Sequence, residues 1–103
     1  MTKSEFFKML NDYITNHNEY AQLDGQEAYT AEQITPYIFH EDPCKLANYR
    51  ILDPKYPWTE HATGFVLAKC WYIELKHHKT AEAAEKQHKI FTRWIAEYKA
   101  SNN

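Results

Sequence analysis

Apolar positions in the first stretch of the chain recur at steps of three and four: Phe6, Leu10, Tyr13, Ile14, His17, Tyr20 and Ala21. That spacing predicts one amphipathic helix over about residues 3–23. Thr2-Lys3-Ser4-Glu5 has capping-box spacing at its start, and Asp24-Gly25 ends it, because glycine tolerates the left-handed backbone past a helix end. A second box, Thr30-Ala31-Glu32-Gln33, predicts another helix start. Pro36 cannot continue that helix undisturbed, so a kink or a restart is expected there. Asp42-Pro43 repeats the cap-plus-proline signal and predicts a helix near 43–52.

Two prolines in Asp53-Pro54-Lys55-Tyr56-Pro57-Trp58 mark residues 53–58 as a linker. Beyond it, the pattern changes. On a helical wheel, Gly64, Phe65, Leu67, Ala68, Trp71, Tyr72 and Leu75 fill one side, and Ala62, Val66, Cys70 and Ile73 much of the other. An element apolar nearly all round is a central one, predicted as a helix from Thr59 to about His78. Strand is the competing reading for Phe65–Leu75; helix is favoured by length and by the lack of a turn signal. Thr80 caps a last helix whose apolar face is Ala83, Ala84, Gln87, Ile90, Phe91, Trp94, Ile95 and Tyr98. Lys79-Thr80 leaves so short a connection that these two helices are expected to pack as an antiparallel hairpin.

The expected fold is therefore all-α: one compact domain, residues 1–103, of four to five helices, with a buried central helix and a C-terminal helical hairpin. At 103 residues and 12.3 kDa no second domain fits. Eight Tyr, five Phe and three Trp against two Gly point to an aromatic-rich core and away from a sheet protein with tight glycine turns.

Charge divides unevenly. Residues 1–60 carry ten Asp/Glu against five Lys/Arg, a net of −5, and residues 61–103 carry seven Lys/Arg against four Asp/Glu, a net of +3. On the last helix Glu82/Lys86, Glu85/Lys89 and Arg93/Glu97 have i, i+4 spacing, so most of its cations have acidic neighbours. What remains is a corner of Lys69, Lys76, His77, His78 and Lys79, the candidate interaction face. A cationic strip beside Val66 and Ile73 suits an acidic protein partner or an oligomer contact. Tyr56 and Trp58 between prolines are expected to fold back over the core, with an exposed aromatic contact loop as the alternative.

Catalytic and metal-binding patterns are weak. No GxSxG elbow or glycine-rich phosphate loop occurs, and no two histidines stand at i, i+4 on a predicted helix. His78 and His88, with Glu74 or Glu85, would be a bare ligand set near a turn and read as solvated histidines. His17 reads as a core or interface histidine, and Cys70 as a buried structural thiol. No metal and no cofactor are expected. Cys44 and Cys70 lack CxxC spacing, the N-terminus lacks the apolar run of a secretory signal, and Phe65–Leu75 is too short to span a bilayer. A cytoplasmic location and no membrane partner are the corresponding expectations.

The functional expectation is a small non-enzymatic regulator, adaptor or inhibitor acting through surface complementarity, with room for a homodimer. The runner-up is a DNA-binding regulator using a helix-turn-helix-like segment over 30–52. Phosphate would meet Glu27, Glu32, Glu41, Asp42 and Asp53 there against Lys45 and Arg50 alone, so nucleic acid is disfavoured. Third comes a metal- or thiol-dependent enzyme.

Overall fold

The structure, a computed structural model, describes residues 1–39, 61–68 and 71–102. The chain forms helix α1 (Lys3–Asp24), a single 3₁₀ turn (Ala31–Gln33), strands β1 (Ile34–Phe39), β2 (His61–Leu67) and β3 (Trp71–His78), and helix α2 (Ala81–Asn102). The strands make one antiparallel sheet in the order β1-β2-β3. The fold is α+β, which overturns the all-α expectation of four to five helices.

Both long helices begin as their caps dictate. The Thr2 hydroxyl accepts the Glu5 N–H at 3.1 Å, and Gly25 closes α1 in the left-handed region at φ 71°. The Thr80 hydroxyl accepts the Ala83 N–H at 3.2 Å. Thr30 also forms its box with Gln33, but only one 3₁₀ turn follows. Ile34, Thr35, Tyr37, Ile38 and Phe39 are β-branched or aromatic, and Pro36 opposes a helix while an edge strand such as β1 tolerates it. The helix expected after residue 30 is therefore a strand, and a helix-turn-helix over 30–52 lacks its first helix. The helix near 43–52 and the linker 53–58 lie outside the described residues.

The largest correction concerns the buried central helix. Residues 61–67 and 71–78 are the antiparallel strands β2 and β3, and Lys79-Thr80 joins a strand to α2, so there is no C-terminal helical hairpin. Ala62, Phe65, Val66 and Leu67 are all buried, which makes β2 a central strand covered on both faces. A strand of that kind reads as a continuous apolar run and does not alternate. Its turn was hidden too: Ala68, with φ 55°, takes the left-handed conformation usually filled by Gly or Asn.

The two helices pack with the sheet through an aromatic core. Phe6 stacks on Phe91 with ring centroids 4.9 Å apart, stands edge-on to Phe65 at 6.3 Å, and tilts against Trp94 at 5.4 Å. Tyr13 meets Phe65 edge-on at 5.6 Å. Leu10, Ile34, Leu67, Ile73 and Ile95 complete the cluster. An aromatic-rich core was legible in the composition, and it is what joins α1, α2 and the sheet.

A register shift falls between Thr63 and Gly64: Gly64 pairs with Glu74, whereas Thr63 pairs with Lys76, so Leu75 is the extra residue of a β-bulge. Gly64 fits this point because a Cβ there would overlap the Ile73 carbonyl oxygen. Without the bulge, Glu74 and His77 would point to opposite faces of β3. With it the His77 ring and the Glu74 carboxylate are in contact.

Candidate interaction surface

Helix α1 carries two different apolar faces. Phe6, Leu10 and Ala21 are buried, with Phe7, Met9, Tyr13 and Ile14 packed against the same core. Rotated by roughly 80° around the same helix, at 3.6 residues per turn, are Met9, Tyr13, Tyr20 and Leu23. Tyr13 bridges the two faces through Phe65. The other end of the second face is open to solvent: Tyr20 is 69% exposed and Leu23 83%.

Along this second face run two shallow open grooves of about 510 and 560 Å³, which share Tyr13 and Asn16. Met9 and Met1 line the N-terminal groove, Tyr20 and Leu23 the C-terminal one. Their rims are charged: Glu5, Lys8 and Asp12 toward the N-terminus and Glu19 toward the C-terminus. The Lys8 ammonium lies 4.0 Å from the Asp12 carboxylate, both side chains well exposed. Large apolar groups in a row on an exposed helix, flanked by charge, form the chemistry of a protein-contact surface.

The rest of α1 is fixed firmly to the body. The Tyr98 hydroxyl donates to Asn11 Oδ1 at 2.6 Å, and Lys3 pairs with Glu97 at 3.0 Å, so α1 and α2 are joined by polar contacts beyond their rings. Burial raises the Tyr98 phenol above its ordinary 10.0, because the phenolate would be desolvated there. Asn18 clamps the following loop: its Oδ1 accepts the Tyr29 N–H at 2.7 Å and its Nδ2 donates to the Tyr29 carbonyl at 3.3 Å. His17 stacks on the Tyr29 ring at 3.5 Å, in keeping with a structural histidine.

Of the cationic corner expected from the sequence, the structure describes Lys76, His77, His78 and Lys79. Lys76 and Lys79 are exposed. His78 is 7% exposed, and its Nε2 lies 3.0 Å from the Thr63 hydroxyl. His77 is half-buried and faces Glu74. Lys69, Tyr56 and Trp58 lie outside the described residues. The wheel that placed Lys69 beside Lys76 assumed a helix that does not exist. On the last helix, Glu97 turns to Lys3 of α1.

Among the described residues, no three His, Cys, Asp or Glu side chains gather as a metal-binding group, and no helix is long and apolar enough to cross a membrane. No protein-family model, curated protein or solved structure matches the chain.

The sequence reading missed the second face of α1 by merging it with the first. Tyr13 and Tyr20 share the three-and-four spacing of Phe6, Leu10 and Ala21, so periodicity alone joins them in one apolar arc. Adding Met9 and Leu23 to the wheel makes the apolar arc wider than a single packed interface requires, and that width was the available signal.

Proposed function

We propose that this chain is a non-enzymatic protein-interaction protein, a small regulator, adaptor or inhibitor, whose contact surface is the outward face of α1. The observation that carries this reading is the line of Tyr20 and Leu23, large apolar side chains exposed on a helix otherwise anchored by its core face and by Asn11. An anchored helix presents such side chains at little ordering cost, which favours binding. Lys76 and Lys79, exposed at the far end of β3 and just beyond it, supply a second contact for an acidic partner. Two cysteines without framework spacing support a reducing, cytoplasmic setting.

The test is capture of partners from an extract of the native cells by wild-type chain and by Tyr20→Ser/Leu23→Ser, followed by titration of any captured protein in purified form. The double variant is expected to fold normally and to bind the purified partner at least about tenfold more weakly, as expected for losing two interface anchors. Equal binding by both proteins would remove α1 as the contact surface. Charge reversal at Lys76 and Lys79 then measures their share.

A further inference from the structure

Resting on the reading of α1 as a contact surface, we infer that its occupant is a basic amphipathic helix of the partner, with apolar side chains at heptad spacing and Lys or Arg along one edge. From Met9 to Leu23 the outward positions advance by alternating steps of four and three: Met9, Tyr13, Asn16, Tyr20 and Leu23. That alternation is the seam of a helix that pairs with another helix, and each seven-residue step returns to within roughly 20° of the same direction. Met9 and Tyr13 pack against the core and are partly covered, whereas Asn16, Tyr20 and Leu23 are exposed. The open end of the seam is what a second helix would cover. Asn16 sits among the apolar positions, where a polar residue fixes register.

The charge beside the seam sets the sign of the occupant. Glu5, Asp12 and Glu19 follow one another at steps of seven along the edge of the seam away from the core, and all three are exposed. At 1.5 Å of rise per residue, successive carboxylates stand about 10.5 Å apart along the axis. A helix with Lys or Arg at every seventh residue matches that interval. Among the described residues, Lys8 is the one cation lining the two grooves, and it lies 4.0 Å from Asp12. On the wheel it stands outside the acidic line, further from the seam. A second copy laid antiparallel would bring the acidic line against itself, and nucleic acid or an anionic membrane would meet the same repulsion. The acidic region of a partner that would meet Lys76 and Lys79 is then a separate segment.

Two synthetic helical peptides of about three heptads, with Leu at both seam positions and either Lys or Glu at the flanking positions, serve as probes in calorimetric titration of the full chain. The Lys peptide is expected to bind at least about tenfold more tightly than the Glu peptide, and the difference to shrink as salt is added. Asp12→Lys/Glu19→Lys, at two exposed positions, is expected to fold normally by circular dichroism and to lose at least about tenfold in affinity for the Lys peptide. Tyr20→Ser/Leu23→Ser is expected to weaken the same peptide to a similar degree. Equal affinity for the two peptides, or no binding of the Lys peptide up to about 1 mM, overturns the basic helix and leaves α1 to be judged by the partner titration. Lys-peptide binding that ignores both double variants lies elsewhere on the chain and overturns it equally.

Discussion

Glu74 and His77 stand three residues apart on one strand and yet touch, because the bulge opposite Thr63 and Gly64 inserts Leu75 between them and turns both side chains to one face. The same shift leaves His78 on the other face, against Thr63. Two adjacent histidines thereby acquire separate partners on opposite sides of the sheet, and neither is an independent member of a surface patch.

That arrangement depends on Gly64. Gly64→Ala would drive a methyl into the Ile73 carbonyl, so the β2–β3 backbone must separate or the bulge must move. The expected cost is about 1–3 kcal/mol, or roughly 10 °C in Tm for a domain of this size. Thermal unfolding followed by circular dichroism measures it. An unchanged Tm would show that the strands do not approach so closely at this point.

The hairpin is also where sequence reasoning reached its limit. Caps carried strong local signals, and Thr2, Gly25 and Thr80 all act as their spacing suggested, because a cap is decided within four residues. Residues 61–78 are decided by burial from two sides. Phe65, Val66, Leu67 and Ile73 look alike in a central helix and in a central strand, and Ala68 supplies a left-handed turn without the glycine or asparagine that would have announced it. The β-branched and aromatic bias of Thr63, Phe65, Val66, Trp71, Tyr72 and Ile73 was the one available counter-signal. The candidate surface was half legible: Tyr13 and Tyr20 were recognised as apolar members of α1, but a wheel does not say which of two neighbouring apolar faces the body will cover.

Tyr98 ties stability to alkaline pH. Its phenol is raised above 10.0 in the folded chain by desolvation, so the folded state holds the proton more tightly than the unfolded state. Its contribution is complete below pH 10 and is lost as pH rises from there through the folded value. Tyr98→Phe is expected to cost about 1 kcal/mol at neutral pH through the lost bond to Asn11. Urea midpoints at pH 8 and near pH 11 should fall less with pH in the variant than in the wild type. Parallel pH profiles would rule out Tyr98 as a source of the alkaline loss.

Asn18 substitutes for a strand partner by offering both an acceptor and a donor to Tyr29. Asn18→Ala removes both bonds at a cost of about 1–2 kcal/mol. Amide hydrogen exchange at Tyr29 should accelerate at least about tenfold, with the middle of α2 little affected. Unchanged exchange at Tyr29 would mean that the Asn18 bonds do not hold the loop.

The most direct measurement of the contact surface is the set of backbone amide chemical shifts of the wild-type chain titrated with the purified captured partner. Binding through the outward face of α1 requires partner-dependent shifts clustered at Asn16, Tyr20 and Leu23, with the Gly64–Glu74 region unchanged. Shifts confined to Lys76 and Lys79, or no shift along α1 at saturating partner, would contradict it.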